Sequence, residues 1–262
     1  MALHHFFLDQ QVLAQITDDE FLLELTAEDA KHARVLRFEP GEHISVVDAA
    51  SDYFELVITA ITSDGITVKI AQHYDIDHTR PPLVLVQGLA KGDKIDRVVR
   101  QATELGVETI IPTQFKRSVV RIDDTKVAKK QLRLQTIARE AAMQSGQPAI
   151  PSVLPFMPFD TFCDSVTSDD LVLVCWEEAL CSDSVLQTIA WLQNTNQYSM
   201  FKRIIVVIGP EGGIDSEEIT LLETSKACVK RVSLGPSILR TETAGVVAVA
   251  LVQASLAYFL DE

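Results

Sequence analysis

The sequence predicts an α/β protein in which a parallel sheet follows a smaller β-rich domain. After residue 83, short apolar runs alternate with helix-like segments, the pattern of a parallel sheet covered by helices on both faces. Before residue 72, shorter runs alternate apolar and polar residues with a period of two, which favours a small barrel. Two of the later runs end in glycine-rich turns, and these turns carry the functional prediction.

The N-terminal domain is predicted to consist of short strands separated by Pro40-Gly41 and Asp64-Gly65 turns. The expected strands cover residues 21–25, 43–48, 53–58 and 65–70. One segment, from Thr26 to Arg37, is instead predicted to be a capped helix with a basic tip. Its titratable or positive residues are rare in this acidic region, and they form either a solvated helix end or a patch that contacts phosphates: His32, Arg34 and Arg37.

A polar segment at 73–82 ends in two prolines and is predicted to link the barrel domain, 1–72, to an α/β domain, 83–262. Gly106 is expected to end the first helix of the second domain. The expected strands there are 83–87, 107–112, 171–176, 204–208 and 229–234, and the expected helices are 96–105, 126–143 and 184–192.

The stretch from 204 to 245 carries the strongest functional signal. A continuous β-branched run stops at Gly209-Pro210-Glu211-Gly212-Gly213, and Asp215 with Glu218 predicts a capping box that opens a helix. A second strand, a Leu234-Gly235-Pro236 turn and a helix starting at Thr241 follow. Glycine turns at the carboxyl edge of a sheet bring bare backbone N–H groups to a ligand, so two adjacent turns predict a ligand site.

The most apolar stretch runs from Ala244 to Leu260 and raises the question of a membrane anchor. It contains Gln253 and Ser255 and lacks the basic flanks of an anchor. A helix that is apolar nearly all round is more simply buried, and we expect it in the core and in a subunit interface.

Charge is distributed unevenly along the chain, whose net charge is −14. Residues 1–80 contain 15 Asp/Glu against 5 Lys/Arg, whereas residues 81–139 contain 12 Lys/Arg against 6 Asp/Glu. The overall acidity argues against a nucleic-acid partner, but the basic middle segment does not. Lys91, Arg97 and Arg100 in that segment are candidates for phosphate contacts, or else a solvated helix surface.

The four cysteines form no CxxC pair, and the chain shows no signal peptide. We therefore expect reduced thiols and a cytoplasmic location. Cys175 and Cys181 are predicted to be buried apolar residues. The six histidines are scattered, and no metal site is expected.

Three classes of ligand could use the glycine turns. A dinucleotide would require GxGxxG after the first strand, but Gly88-Leu89-Ala90-Lys91-Gly92 does not fit that pattern. A nucleoside triphosphate would require GxxxxGK[ST], which the chain lacks. The remaining class is a neutral or cationic nucleoside-like ligand. S-adenosylmethionine fits, because its adenine needs backbone hydrogen bonds and its sulfonium tolerates nearby glutamates such as Glu211 or Glu242.

These residues carry a family resemblance. The chain resembles the SPOUT (knotted) RNA methyltransferases and, within them, the bacterial 16S rRNA uracil-N3 methyltransferases. The resemblance rests on the two glycine turns together with Ile238-Leu239-Arg240 and Glu242-Thr243-Ala244. Further matches are His32-x-Arg34-Val35-Leu36-Arg37, Lys91-Gly92-Asp93-Lys94, Glu104-Leu105-Gly106-Val107 and Gln144-Ser145-Gly146.

The resemblance implies a C-terminal trefoil knot, a PUA-like N-terminal barrel that presents RNA, and a homodimer with each cofactor site near the subunit interface. It implies methylation of N3 of a uridine in 16S rRNA within the small ribosomal subunit, with S-adenosylmethionine as cofactor. The expected cofactor-binding residues lie on the glycine turns and at two neighbouring strand ends: Trp176, Glu177, Ile208, Gly209, Pro210, Glu211, Gly212, Gly213, Leu234, Gly235, Ile238, Leu239, Glu242, Thr243 and Ala244.

Arg240 is our candidate catalytic residue, because a cation beside the cofactor would stabilise the developing uracil anion or hold a phosphate. The alternative is that Arg240 pairs with Glu242 or Glu211 and only shapes the turn. For Glu211 itself, an equally good reading is that it accepts N–H bonds within its own turn.

Two other functions remain open at this point: a SPOUT ribose 2′-O-methyltransferase of tRNA or rRNA, and a catalytically silent RNA-binding protein. The chain also departs from its relatives, with His4-His5 and Gln147 at positions that are usually arginine. Those departures bear on RNA affinity more than on cofactor binding.

Overall fold

The computed structural model describes residues 3–76, 80–121, 124–179, 183–195 and 200–260. It divides the chain into two compact units, Met1–His78 with Ala142–Ala149, and Thr79–Ala141 with Ile150–Glu262. The division assigns a short segment after residue 141 to the first unit, which the sequence pattern did not indicate. The domain limits at residues 72 and 83 stay predictions.

The first unit contains a five-stranded sheet and one α-helix in its described part. The sheet order is β1-β3-β4-β5-β2, with β1 parallel to β3 and the other pairs antiparallel. The elements are β1 (His4–Phe7), β2 (Phe21–Leu22), α1 (Ala27–Leu36), β3 (His43–Val47), β4 (Tyr53–Ile61) and β5 (Ile66–Tyr74). The strand predicted over 21–25 is shorter than expected, and β5 runs four residues beyond its predicted end.

Helix α1 confirms the predicted capped helix. The Thr26 hydroxyl oxygen accepts a hydrogen bond from the Asp29 N–H at 3.1 Å, which satisfies one of the free donors of the first turn. Arg37 ends the helix in the left-handed region, with φ of 54°. A non-glycine residue in this region is uncommon, so the basic tip is also the cap of the helix.

The second unit contains a parallel sheet with helices on both faces, as predicted. The order is β12-β10-β11-β6-β7-β8, and β9 also pairs with β7. The strands are β6 (Leu83–Gly88), β7 (Thr109–Gln114), β8 (Ser152–Val153), β9 (Met157–Pro158), β10 (Asp170–Cys175), β11 (Arg203–Ile208) and β12 (Cys228–Val232). The helices are α2 (Lys94–Glu104), α3 (Val127–Ser145), α4 (Phe159–Ser165), α5 (Val185–Asn194), α6 (Ser216–Glu223) and α7 (Thr241–Leu260).

Two hydrophobic cores explain why the central strands are continuously apolar. Alternate residues such as Leu173 and Val206 pack with α2, α5 and α7 on one face, whereas Val174 and Val207 pack with α4 and α6 on the other. The side chains in the middle of such a strand are buried on both faces, and a polar residue there would lie in a core. Helix α7 contributes Val249 to the first core, where it is fully buried. In the described ranges, no helix is long and apolar enough to cross a membrane.

The amino ends of β10 and β11 are joined by a bidentate ion pair. Asp170 accepts hydrogen bonds from Nε and Nη2 of Arg203, both at 2.7 Å, and from the Thr167 N–H at 2.8 Å. The carboxyl group is buried, and burial alone would raise its pKa. The hydrogen bonds from Arg203 and Thr167 outweigh burial and hold the pKa of Asp170 below its usual value. This pair fixes the register of the two strands whose opposite ends carry site residues.

Replacing Asp170 by asparagine is expected to destabilise the protein by about 2 kcal/mol, because the Arg203 guanidinium loses a charged bidentate partner. The measurement is urea unfolding across the acid range. A carboxyl group with a lowered folded-state pKa stabilises the fold above its unfolded-state pKa, about 4, and loses that effect as the pH falls through the folded-state value. The difference between wild type and variant should therefore vanish at the acid end. The matched control is Asp169→Asn, which breaks the exposed pair with Lys202 and should change little.

Candidate functional site

The carboxyl ends of four parallel strands meet at one edge of the sheet of the second unit. Strand pairing places Ile208 beside both Gln87 and Cys175, and Cys175 beside Val232. The segments that follow β6, β10, β11 and β12 therefore surround one region. They enclose a cleft of about 460 Å³, a size typical of small-molecule sites.

Most of the predicted cofactor residues line this cleft. They are Trp176, Glu177, Ile208, Gly209, Pro210, Glu211, Gly213, Leu234, Gly235, Ile238, Leu239 and Ala244, and Arg240 lines it with them. Three others lie just outside the lining: Gly212 packs against Arg117, and Glu242 and Thr243 belong to the first turn of α7. The structure thus brings the two turns together as expected, while the binding role of each residue stays a prediction.

The carboxyl end of β6, at Gly88, lies very close to the first glycine turn, residues 209–213. A Cβ atom on Gly88 would lie 2.4 Å from the Pro210 nitrogen and 2.5 Å from the Gly209 carbonyl carbon. Both neighbours are backbone atoms and cannot rotate away. Glycine at position 88 is therefore required for the end of β6 to approach the first glycine turn.

A chain of hydrogen bonds ties the two glycine turns to the end of β6. The buried Gln87 donates from Nε2 to the Thr241 hydroxyl at 2.9 Å, and that hydroxyl donates to the Gly209 carbonyl at 2.6 Å. Gly245 leaves the space for Gln87, because a Cβ there would lie 2.4 Å from the Gln87 Oε1. Among the described residues, this Oε1 has no hydrogen-bond partner.

Three charged side chains join at the mouth of the cleft, and we call them the Lys94 cluster: Lys94, Glu211 and Glu242. The Lys94 ammonium lies 3.0 Å from Glu211 Oε1 and 3.4 Å from Glu242 Oε2. Glu211 Oε1 also accepts a hydrogen bond from the Lys91 N–H at 3.1 Å. The hydrogen bond to Glu211 raises the pKa of Lys94. Burial would raise the pKa of Glu211, but the bonds from Lys94 and Lys91 hold it below its usual value.

Among the described residues, Arg240 forms no ion pair with Glu211 or Glu242, and both glutamates pair with Lys94. Whether Arg240 acts in catalysis or only shapes the turn stays a prediction. Arg240 is exposed at the cleft. In the described part of the chain its guanidinium makes no ion pair, whereas its backbone carbonyl accepts the N–H groups of Thr243 and Ala244 and starts α7. The prediction that Glu211 accepts hydrogen bonds within its own turn needs a correction. Its side chain also accepts hydrogen bonds from the Lys91 N–H and from the Lys94 ammonium.

Trp176 and Glu177 form the wall that follows β10. The Arg231 guanidinium lies 4.8 Å from the centroid of the Trp176 ring, and two hydrogen bonds of 2.6 Å to Glu223 fix it there. A Cβ on Gly213, whose φ is 73°, would lie 3.0 Å from Glu177 Oε1. Glycine at 213 thus serves both the turn geometry and the approach of Glu177.

The candidate phosphate contacts lie in both units. In the first unit His32, Arg34 and Arg37 are on or directly after α1, and the two arginines line a second cavity of about 470 Å³. In the second unit, Lys91 and Arg100 are exposed, whereas Arg97 pairs with Asp93 at 3.0 Å.

The histidines that replace the expected arginines differ in environment. His4 is exposed and makes an edge contact with Phe38. His5 is buried, stacks on Tyr53, and shares a hydrogen bond of 2.8 Å with Ser45. Burial lowers its pKa to about 4, so His5 is neutral at pH 7 and does not replace a cation.

Sequence reasoning missed several lining residues: Lys94, Cys175, Ile214, Ser233, Pro236, Ser237 and Thr241. Pro236 and Ser237 lie within a turn already singled out. Gln87, which supports the cleft, had one visible signal, since it is a polar residue at the end of an apolar strand.

Cys163 and Cys175 carry free thiols, and Cys181 lies outside the described residues. Over the described ranges, no group of three His, Cys, Asp or Glu is placed to hold a metal ion.

Comparisons with known proteins agree with this architecture. The profile of an RNA methyltransferase domain matches residues 78–253, and that of an RNA methyltransferase PUA domain matches residues 25–71. The fold and the cleft thus define an RNA methyltransferase with an N-terminal PUA domain. The chain belongs to the family of ribosomal RNA small subunit methyltransferase E, as the Bacillus subtilis protein of that name is 31% identical over 224 residues, covering 84% of this chain and 85% of its own.

Other relatives extend the likeness. The protein of the same name from Aquifex aeolicus is 31% identical and covers 85% of this chain and 90% of its own. The structure of ribosomal RNA small subunit methyltransferase E from Neisseria gonorrhoeae, solved with bound S-adenosylmethionine, gives a TM-score of 0.74 at 26% identity. The match covers 97% of this chain and 98% of that one. A Legionella pneumophila methyltransferase with the same bound cofactor gives a TM-score of 0.74 at 27% identity, again with 97% and 98% covered. The trefoil knot stays a prediction.

Replacing Gly88 by alanine is expected to push the end of β6 away from the first glycine turn, because the new methyl group meets the backbone of that turn. The protein should be destabilised by about 2 kcal/mol or more. Thermal unfolding together with amide hydrogen exchange at 209–213 is the measurement. The control is Gly41→Ala in the first unit, where φ is 95° and open space surrounds the Cβ position. It should cost about 1 kcal/mol of backbone strain without changing exchange at 209–213. Equal behaviour of the two variants would contradict this packing argument.

Proposed function

We propose that this protein methylates N3 of a uridine in 16S rRNA of the small ribosomal subunit, with S-adenosylmethionine as methyl donor. The observation that carries the proposal is the cleft between the two glycine turns, in a fold similar to solved structures that hold this cofactor. The name of those relatives supports the RNA substrate. The choice of base and of ring nitrogen rests on the family resemblance.

The cleft fits S-adenosylmethionine in size and chemistry. The glycine turns expose backbone groups for the edge of an adenine, and Leu234, Ile238 and Leu239 provide an apolar surface for its ring. Glu177 and Glu211 supply the negative charge that a sulfonium tolerates. The cofactor, when bound, supplies an electrophilic methyl group that needs no metal for its transfer.

The chain's own residues must orient the nucleotide and handle its proton. Uracil N3 attacks in line with the departing sulfur, so positioning provides much of the rate gain. The N3 proton must pass to solvent water in the open cleft, and negative charge spreads over the ring oxygens as it does. Arg240 is exposed at the cleft, and no ion pair with a described residue holds its guanidinium, so it is available to stabilise that charge. A stacked base has to be extruded before it reaches the cleft.

We assign RNA contacts to His32, Arg34 and Arg37 in the first unit and to Lys91, Arg97 and Arg100 in the second. Support comes from their exposure and from the concentration of basic residues at 81–139. Arg97 is the weakest member, since Asp93 already neutralises its charge.

The homodimer, the trefoil knot and the cytoplasmic location belong to the same proposal. Ile238 supports the dimer, because this large apolar side chain on the cleft is 84% exposed. A partner subunit near the cofactor site would cover it. Sedimentation equilibrium tests the dimer directly, and a monomer at all concentrations would contradict it.

The decisive experiment is mass spectrometry of 16S rRNA from cells with and without this protein. The proposal expects one uridine to lose a methyl group in the deletion strain, with the mass change on the base. A mass change on the ribose would instead identify a 2′-O-methyltransferase. No change in either, together with no cofactor binding by calorimetry, would leave an RNA-binding protein without catalysis.

Replacing Arg240 by alanine is expected to leave the affinity for S-adenosylmethionine within about twofold and to lower methylation of small subunits by about 100-fold, the loss typical of one electrostatic stabiliser. Titration calorimetry and single-turnover methylation are the measurements. Arg240→Lys keeps the charge and should recover part of the rate. Methylation at the wild-type rate in Arg240→Ala would remove Arg240 from the mechanism.

Replacing Arg34 and Arg37 together by glutamine is expected to weaken binding to small subunits and to lower the slope of log affinity against log salt by about 2, one for each lost phosphate contact. Affinity for S-adenosylmethionine should not change. Lys69→Gln is the control, since Lys69 is an exposed cation on β5 of the same unit. If the control lowers the slope as much as the double variant does, the arginines form no specific contact.

A further inference from the structure

We infer that Lys94 is a positioning residue for the methyl transfer, and that it sets the spacing of the two glycine turns through Glu211 and Glu242. The inference rests on the proposed function, because the cleft whose width Lys94 would set is the proposed cofactor site. Lys94 itself lies in the first turn of α2 and lines the cleft.

The geometry places one ammonium group between elements that are distant in the sequence. Its bond of 3.0 Å to Glu211 reaches the first glycine turn, and its ion pair of 3.4 Å with Glu242 reaches the first turn of α7, next to the second glycine turn. The Lys91 N–H adds a bond of 3.1 Å to the same Glu211 oxygen. The 91–94 segment thus holds both turns from one side of the cleft.

Partial shielding from solvent makes this arrangement stronger than a fully exposed ion pair. The side chains of Lys94, Glu211 and Glu242 are 27%, 28% and 19% exposed. The Glu242 Oε2 is shielded from solvent and, among the described residues, accepts no well-formed hydrogen bond. Lys94 is therefore its counter-charge, and removing Lys94 would leave a shielded carboxylate oxygen uncompensated. The turn that carries Glu242 would then have to move towards water.

The charge of the cluster excludes a different role for Lys94. One ammonium faces two carboxylates, so the cluster is net negative and is a poor stabiliser of a developing anion. Arg240, which makes no ion pair with a described residue, is suited to that task. A structural role for Lys94 agrees with the Gln87–Thr241–Gly209 hydrogen bonds, which fix the same two turns at the base of the cleft.

The test compares Lys94→Met and Lys94→Arg with wild type in the full-length protein. Calorimetry measures affinity for S-adenosylmethionine and for S-adenosylhomocysteine, which lacks the sulfonium charge. Single-turnover methylation of small subunits measures the rate of methyl transfer. Hydrogen exchange measures protection of residues 209–213 and 235–242 without ligand. Lys202→Met is the matched control, because Lys202 forms an exposed pair of 2.7 Å with Asp169 and precedes the amino end of β11.

The expected result is a loss of affinity of about tenfold in Lys94→Met, the same for both ligands, with faster exchange in both segments and a melting temperature close to that of wild type. Lys94→Arg should restore most of the affinity and protection. Adding Glu242→Gln to Lys94→Met should recover part of the loss, because it removes the uncompensated carboxylate. The Lys202→Met control should change neither quantity.

Three results would overturn the inference. Wild-type affinity and exchange in Lys94→Met would show that Lys94 does not hold the turns. Unchanged binding with lost turnover would assign Lys94 to the RNA substrate. A change in the ratio of the two affinities would show that Lys94 acts by charge on the sulfonium. If wild type itself binds neither ligand, the proposed function fails, while the exchange comparison still decides whether Lys94 holds the turns.

Discussion

The cleft depends on the close approach of two backbone segments at one edge of the parallel sheet. The peptide between Gly209 and Pro210 lies so near to Gly88 that no side chain fits between them. Parallel pairing of β6 and β11 brings the segments together, and glycine lets them touch. With that contact made, Gln87 reaches the Thr241 hydroxyl, and α7 starts at a fixed distance from the first turn. The backbone contact between Gly88 and the first glycine turn therefore determines the shape of the site.

Local pairing, more than net charge, sets the electrostatics of the cleft. The chain is strongly acidic, with a net charge of −14, and two glutamates stand at the cleft mouth. Lys94 pairs with both of them, and Arg240 forms no ion pair with any residue that the structure describes. An acidic protein can thus present an uncompensated cation where a nucleotide would be handled.

The sequence predicted most elements of the second unit, but not β8, β9 or α4, because the signals of the predicted elements are local. Continuous apolar runs gave β10 and β11, and Asp215 with Glu218 gave a capping box that forms as expected. Proximity of the two glycine turns followed from strand order in a parallel sheet. The contacts of the Lys94 cluster and of Gln87 were not predictable, because their partners are more than 100 residues away in the sequence and no periodicity links them. The neutral state of His5 likewise depends on burial, which a lone histidine in a sequence does not reveal.

Cys175 lines a cleft that would hold an alkylating cofactor, so the reactivity of its thiol matters. The residue is half-buried, and a thiolate there would compete with the substrate for an activated methyl group. Burial raises the pKa of the Cys175 thiol to about 12. At neutral pH the Cys175 thiol is therefore almost entirely protonated. Because the thiolate is the reactive form, the burial that raises this pKa makes Cys175 a poor competitor for the methyl group.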